Sequence, residues 1–439
     1  MHVSVRPMAV ALVALAWALG PAGAPPADAA EAPAGSAPLQ LGALLREAEE
    51  HNPEIAAAQS RVRAADSAPS QAQVAPDPLV SVSYTNDTLS DLTLGESEFT
   101  VLTFAWTQEL RYPGKLRLGG DVARREVEIW SRRADQIRLN VASGIKRAFA
   151  DLYRIDRTWA ILNDSRTLLV SFQDTARARY EAGEGILENV LKAQTEIIRL
   201  DAAIEGLARE RDSVQASLNA LAGQAAHRPL GPALELPAAV PLEDPASLEA
   251  EALSRSPEVL EVEATVRRDE SRLELARREK KPDMMWGAAY QYRGDLDPMV
   301  MGMFGVRLPI HGDRKQAQGV VQAEHDLNAT RSDVASARLK TAAEVADLVA
   351  QAARAATLSR LYAEGVIPQA RSALESAAAS YGVGRVDFLT LLADFTSLLT
   401  YEIEYETQRA DQVATLASLE RLTARTLLPV DLPDGVSDE

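Results

Sequence analysis

The 439-residue chain has no cysteine, few aromatic residues (5%) and no uninterrupted apolar run long enough to span a bilayer as a helix. The absence of cysteine excludes disulfides, thiolate metal sites and a lipid-modified amino-terminal cysteine, so we expect no lipid anchor. A transmembrane helix needs about eighteen or more apolar residues, and none is predicted. An exported chain can still enter a membrane as strands, whose sequence signal per segment is weak.

Basic residues are fewer than acidic ones, and several common catalytic motifs are absent. Lys and Arg number 46 against 63 Asp and Glu, which gives a formal net charge of −17 and argues against nucleic acid as a partner. The chain has no Gly-x-Ser-x-Gly elbow, no phosphate loop and no pair of histidines three or four residues apart. We therefore expect no enzyme activity, no metal site and no cofactor.

Residues 1–29 are predicted to be a signal peptide. Arg6 supplies a positive charge, and Met8 to Leu19 is apolar but short for a membrane span. Small residues follow, and cleavage after Ala29 is favoured over cleavage after Ala24 because Pro25 would directly follow the earlier cut. An amino-terminal membrane anchor, the competing interpretation, would need a longer apolar run.

The rest of the chain is duplicated. Landmarks of the first half return about two hundred residues later: Leu44, Ala48 and Pro53-Glu54 as Leu248, Ala252 and Pro257-Glu258; Pro76-Asp77 as Pro282-Asp283; Tyr180-x-x-Gly183 as Tyr381-x-x-Gly384. Landmarks that recur in order at a nearly constant offset indicate two copies of one structural unit. We predict a first repeat at 39–223, a Pro-rich linker at 224–246, a second repeat at 247–427 and a disordered acidic tail at 428–439.

Each repeat has the plan helix, β-hairpin, long helical hairpin. Alternating apolar residues predict β-hairpins at 79–110 and 284–310. Apolar residues at heptad spacing predict long helical hairpins at 116–222 and 315–427, the second kinked at Pro368. About sixty residues of helix span about 90 Å. In the first helical segment, Asn52 is expected to cap a helix that starts at Pro53.

The four predicted strands match the length that crosses a bilayer when tilted, but four strands cannot close a barrel. An open sheet would leave unpaired backbone groups at its edges, which lipid does not tolerate. If these strands lie in a membrane, several copies must therefore pool them: a dimer would reach eight and a trimer twelve. The competing prediction is a soluble periplasmic coiled-coil adaptor or scaffold, which would need no membrane-length hairpins.

Residues 39–427 resemble the TolC-type outer-membrane factors, or outer membrane efflux proteins. The resemblance lies in the duplicated plan, in the Pro-Asp pairs that start strands and in the Tyr-x-x-Gly tips of the helical hairpins. Glu109 to Lys115 (ELRYPGK), Ile367 to Arg371 and Tyr381 to Leu389 resemble the branch that serves heavy-metal (cobalt–zinc–cadmium or copper–silver) efflux. The resemblance implies a mainly α fold with a β-barrel portion, in which a homotrimeric twelve-strand barrel in outer-membrane lipid continues into a long periplasmic α-helical barrel.

The function that the resemblance implies is a passive duct in the outer membrane of a Gram-negative bacterium. It would carry heavy-metal cations, or organic drugs as the alternative cargo, out of a tripartite system. Its partners would be a periplasmic adaptor (membrane fusion protein) and an inner-membrane RND pump. Many relatives begin with a lipid-modified cysteine. Because this chain has no cysteine, barrel insertion alone is expected to hold it in the membrane.

The resemblance also assigns the helical hairpin tips to the periplasmic entrance and adaptor contact. The residues concerned are Tyr180, Gly183, Gly185, Tyr381, Gly384 and Arg385. Relatives can carry aspartates after the second tip that narrow the entrance; Thr390 and Ala393 fall there in this chain, so the gate candidates are the nearby Asp387 and Asp394. Without the resemblance, the tip glycines are simply helix-breaking turn residues.

All methionines after the signal peptide lie in the second β-hairpin, at positions 284, 285, 299, 301 and 303. Alternation along a strand predicts that Met299, Met301 and Met303 share one face. Thioethers suit copper(I), but we interpret this run as packing in the barrel wall.

Overall fold

A computed structural model of the protein describes residues 38–87, 92–94, 97–239 and 244–429. The predicted signal peptide and residues 430–439 of the predicted tail lie outside these ranges. None of the helices within them is both long and apolar enough to cross a membrane.

The two repeats contain the same elements in the same order. The first comprises α1 (Leu41–His51), α2 (Pro53–Asp66), α3 (Ala68–Gln73), β1 (Leu79–Thr85), β2 (Val101–Leu110), α4 (Lys115–Glu181) and α5 (Leu187–Leu221). The second comprises α6 (Pro245–Arg255), α7 (Pro257–Arg278), β3 (Asp283–Arg293), β4 (Leu296–Arg307), α8 (Gln316–Leu361), a π-helical turn (Tyr362–Val366), α9 (Ile367–Gly382) and α10 (Phe388–Thr423).

The predicted cap at Asn52 is confirmed. Its side-chain oxygen accepts hydrogen bonds from the backbone N–H groups of Glu54 and Ile55 at 2.8 and 3.2 Å, and its amide donates to the carbonyl of Leu221 at 2.8 Å. Capping satisfies donors that the first helical turn leaves free. One side chain thus starts α2 and fastens it to the end of α5.

The first helix of the hairpin predicted at 315–427 is interrupted before the kink expected at Pro368. Pro368 lacks the N–H that would bond the carbonyl of Glu364, and its ring would clash with that carbonyl. The chain accommodates both effects by widening into the π-helical turn at Tyr362–Val366, directly before Pro368 in α9. The kink was predicted at Pro368, and the structure places a π-helical turn just upstream of the proline.

The helices of the two repeats pack together through α4, which contacts α5, α7 and α10. Buried Ile155, Leu162 and Leu169 of α4 belong to one apolar cluster with Leu391 and Phe395 of α10. A cluster this extensive is the main stabilising feature of long helices, whose intrinsic stability is small.

A buried ion pair at the other end of α10 corrects two predicted boundaries. Lys146 of α4 pairs with Glu420 of α10, and the same carboxylate accepts the backbone N–H groups of Leu427 and Leu428 at 2.7 and 2.8 Å. The helix therefore ends at Thr423, not 427, and Leu428 belongs to the core rather than to a disordered tail.

The predicted linker is likewise part of the packed structure where it is described. Leu230 and Ala233 are buried in a cluster with Leu41 and Leu44 of α1. Arg211 donates to the carbonyls of Leu230 and Gly231 at 3.2 Å, which satisfies this non-helical backbone. Residues 240–243 lie outside the described ranges, and the second repeat begins at Pro245 rather than 247.

The four strands form one antiparallel sheet in the order β1-β2-β3-β4. The repeats are joined by β2 and β3, which pair from Leu102 opposite Tyr292 to Leu110 opposite Met284. The second hairpin ends at Arg307, not 310, because Pro309 cannot donate to a strand ladder. In the described chain, β1 and β4 are left as the two edges.

Candidate functional site

One face of the sheet is apolar and exposed. Paired residues of an antiparallel sheet point to the same side, and the register places aromatic and aliphatic residues together on what we call the aromatic face. Its members are Val80, Val82, Tyr84, Leu102, Phe104, Trp106, Leu110, Met284, Trp286, Tyr290, Tyr292, Val300, Phe304 and Val306. Trp106 and Trp286 pack edge to face with ring centroids 4.7 Å apart, and Phe304 is 73% exposed. An apolar patch this large marks an interaction surface.

The opposite face is built mostly from small and polar residues. We call it the polar face, and its members include Ser81, Ser83, Thr103, Thr107, Gln291, Met285, Met299, Met301 and Met303. The prediction that Met299, Met301 and Met303 share a face is therefore confirmed. In the part of the chain that is described, no group of three His, Asp or Glu side chains is arranged to hold a metal ion.

The junction between sheet and helices rests on one buried lysine. Lys115, the first residue of α4, lies with its ammonium 2.9 Å from a carboxylate oxygen of Asp283, 3.1 Å from Glu279 and 2.9 Å from the carbonyl of Lys281. Its side chain is only 2% exposed. Asp283 also accepts the backbone N–H of Tyr112 at 2.7 Å. A single contact between the repeats thus joins two segments that the sequence analysis singled out, Pro113-Gly114-Lys115 and Pro282-Asp283.

The two helical hairpin tips are built alike. In the first, Gly183 donates to the carbonyl of Tyr180 at 3.0 Å and Glu184 to that of Arg179 at 2.9 Å. In the second, Gly384 donates to Tyr381 at 3.0 Å and Arg385 to Ser380 at 2.9 Å. This pattern ends a helix through a left-handed residue, normally glycine. Gly183 and Gly384 have φ of 78° and 75°, whereas Gly185 has no positive φ.

Arg179 joins the two tips, and sequence reasoning missed it. Its guanidinium donates to the carbonyls of Tyr381 and Gly382 at 2.8 and 3.1 Å and lies 5.4 Å from the Tyr381 ring centroid. Tyr381 is buried against Phe388, with ring centroids 5.5 Å apart. Arginine is common on exposed helices, so Arg179 does not stand out in the sequence. The one signal for it was its position directly before Tyr180.

The gate candidates have different surroundings. Asp387 caps α10 by accepting the backbone N–H of Thr390 at 2.8 Å. Hydrogen bonds from the Thr390 side chain and backbone hold the pKa of the Asp387 carboxyl below its usual value. Asp394 lies about two turns further along α10 and is half-buried. Asp387 therefore has a structural task that is independent of any gate.

Apolar side chains surround both tips and are not covered by the described chain. They are Ile186, Leu187, Leu191, Val383 and Leu389, together with the ring of Tyr180. Val383 is 69% exposed beside Gly384. Exposed apolar residues grouped at the end of long helices fit a surface that a partner covers.

Comparison with known proteins gives a family and a fold. The sequence profile of the family described as outer membrane efflux protein matches residues 44–224 and 248–425. Comparison with curated protein sequences finds no significant match.

Several solved structures are similar to the chain, including these three. The outer membrane protein VceC of Vibrio cholerae has a TM-score of 0.74 and 18% identity, over 87% of this chain and 95% of that one. CusC has a TM-score of 0.76 and 16% identity, over 88% and 92%. The MtrE outer membrane channel of Neisseria gonorrhoeae, in its open state, has a TM-score of 0.71 and 15% identity, over 88% of each chain. These similarities confirm the predicted mainly α fold with a β-barrel portion.

The left-handed turn at the second tip leads to a first prediction. A side chain at position 384 would sit on a backbone with a φ of 75°, and its Cβ would lie 2.8 Å from the Arg179 guanidinium. At position 382 the φ is ordinary and a Cβ would meet open space. Left-handed backbone costs a non-glycine residue roughly 1–2 kcal/mol. Gly384→Ala should therefore raise amide hydrogen exchange across the second tip about tenfold, while Gly382→Ala should leave it within twofold. Equal exchange in both variants would contradict the turn described here.

Proposed function

The chain belongs to the outer membrane efflux protein family, and from that premise we propose that it is the exit duct of a tripartite system that exports metal cations. Membership makes it an outer-membrane efflux channel with a periplasmic helical part, and not an enzyme. It also excludes the competing prediction of a soluble periplasmic scaffold. The observation that carries the duct is a sheet with an exposed aromatic face and, among the described residues, two open edges, continuous with helices far longer than a bilayer is thick.

The open edges support assembly from several copies. In lipid, the unpaired backbone groups of β1 and β4 would each cost several kcal/mol. Three copies would pair every edge in a closed barrel of twelve strands, with the aromatic face toward lipid and the polar face toward the channel. The strands β2, β3 and β4 contain 10, 11 and 12 residues, which suits a tilted crossing, whereas β1 contains 7.

The helices set the distance between the barrel and its partners. The 67 residues of α4 extend about 100 Å from the sheet junction at Lys115 to the first tip. The adaptor would meet the exposed apolar residues at the tips, around Gly183 and Gly384, with Tyr180, Gly185 and Arg385 beside them. Arg179 would keep the two tips in one arrangement for that contact.

Cysteine cross-linking tests this orientation, because the native chain offers no competing thiol. Val383→Cys places a thiol at the second tip, and Leu92→Cys places one between β1 and β2, where Leu92 is 86% exposed. With a thiol-specific photo-cross-linker, Val383→Cys should capture the co-expressed periplasmic adaptor of its system, and Leu92→Cys should not. Capture from Leu92→Cys alone would mean that the molecule is oriented the other way.

Two features support metal cations as cargo rather than organic drugs. The first is the resemblance of Glu109 to Lys115 to the heavy-metal branch. The second is the set of four thioethers on the polar face. The first hairpin builds the same face without methionine, from residues such as Ser81, Ser83 and Thr103, so wall packing alone does not demand it. Thioethers favour soft cations such as copper(I), and the net charge of −17 would attract cations generally.

Deleting the gene tests the cargo. The deletion strain should lose tolerance to silver and copper(I) salts, or to zinc, cobalt and cadmium salts, and regain it when the wild-type gene is returned. Minimum inhibitory concentrations of dyes, detergents and antibiotics should stay unchanged. Sensitivity confined to those organic compounds would contradict the metal cargo and leave the duct in place.

A further inference from the structure

We propose that the contact joining the two repeats inside one chain recurs between neighbouring copies, with Lys315 of one copy bound to Asp77 of the next. The inference rests on the assembly proposed above and specifies how the copies recognise each other. The partner surface is thus a second copy of this chain, aligned edge to edge along β4 and β1.

The internal contact supplies the template. β2 leads directly into the turn before α4, where Lys115 is the first helical residue, and β2 pairs with β3. Asp283 begins β3, so the pairing of the two strands brings the Lys115 ammonium against its carboxylate at 2.9 Å. The ion pair therefore marks the place where a hairpin of one repeat meets the hairpin of the other.

The duplication provides the same two groups at the free edges. Asp77 follows Pro76 just before β1, as Asp283 follows Pro282 at the start of β3. Lys315 directly precedes α8, as Lys115 begins α4. Because β1 corresponds to β3 and β4 to β2, a β4 edge beside a second copy's β1 edge would repeat the geometry of the internal junction.

The charges at these edges have no ion-pair partner among the described residues. Asp77 and Lys315 are both exposed, and neither makes an ion pair with any residue in the described ranges. Their strands lie at opposite edges of the sheet, so the two groups of one copy serve different neighbours. The internal lysine is 2% exposed, and closure of the sheet would bury the second lysine in the same way.

The faces fix which residues lie opposite each other. Thr103 of β2 pairs with Gln291 of β3 across the internal junction. By the duplication, Met303 of β4 corresponds to Thr103, and Thr85 of β1 corresponds to Gln291. Met303 and Thr85 both lie on the polar face. A slip of one residue would turn aromatic residues into the channel, so registers of the other parity are disfavoured.

Charge reversal tests the contact in the full-length protein purified in mild detergent. Asp77→Lys or Lys315→Asp alone should reduce the cross-linked trimer at least tenfold, and the double variant should return it to within twofold of wild type. Asp313→Lys and Arg314→Asp, exposed positions in the same turn, serve as matched controls and should leave the trimer unchanged. Circular dichroism checks that each variant keeps its helices.

A second measurement does not depend on the charge variants. Thr85→Cys with Met303→Cys should form a disulfide between copies under mild oxidation, whereas Tyr84→Cys with Met303→Cys, which joins opposite faces, should not. A wild-type trimer that tolerates both single reversals, or that cross-links equally in both cysteine pairs, overturns this inference and leaves the duct intact. A wild-type protein that is monomeric in detergent would overturn the proposed assembly as well.

Discussion

Backbone N–H and C=O groups at the edge of a sheet must find partners when the sheet lies in lipid, and the rest of this structure depends on that constraint. The chain contributes one antiparallel sheet whose outer strands, β1 and β4, have no partner among the residues described. A lone copy would leave both ladders open. The exposed aromatic face, the duplicated repeats and the long helices all make sense once those edges are closed by further copies.

In the proposed assembly, duplication lets one sequence pattern serve two kinds of junction, one inside the chain and one between copies. Inside the chain, β2 and β3 pair and Lys115 holds Asp283 against the base of α4. A buried charge is costly unless a partner of opposite charge and further hydrogen bonds accompany it, and Lys115 has two carboxylates and a carbonyl. The same logic organises the far end, where the Arg179 guanidinium joins the two tips through backbone carbonyls.

Apolar periodicity and the positions of proline and glycine in the sequence were enough to predict the two repeats, the hairpins, the Asn52 cap and the turns at the helical tips. The cap and the turns depend on residues only a few positions away along the chain. The sequence did not predict the Lys115–Asp283 contact or the role of Arg179. It also placed the kink at Pro368 rather than at the π-helical turn, and Leu428 in a disordered tail rather than in the core. These features depend on side chains from distant parts of the chain, or on how a helix relieves a clash. The gate stays a prediction, and Asp387 is already engaged as a helix cap.

The most direct test of the central claim is the number of chains in the purified particle, measured by light scattering in mild detergent with the detergent mass subtracted. Closure of the open edges predicts more than one chain, and the proposed twelve-strand barrel predicts three chains per particle, with loss of solubility when the detergent is removed. A single chain that remains monodisperse without detergent would contradict the account, because its sheet edges and aromatic face would then be stable in water unaided.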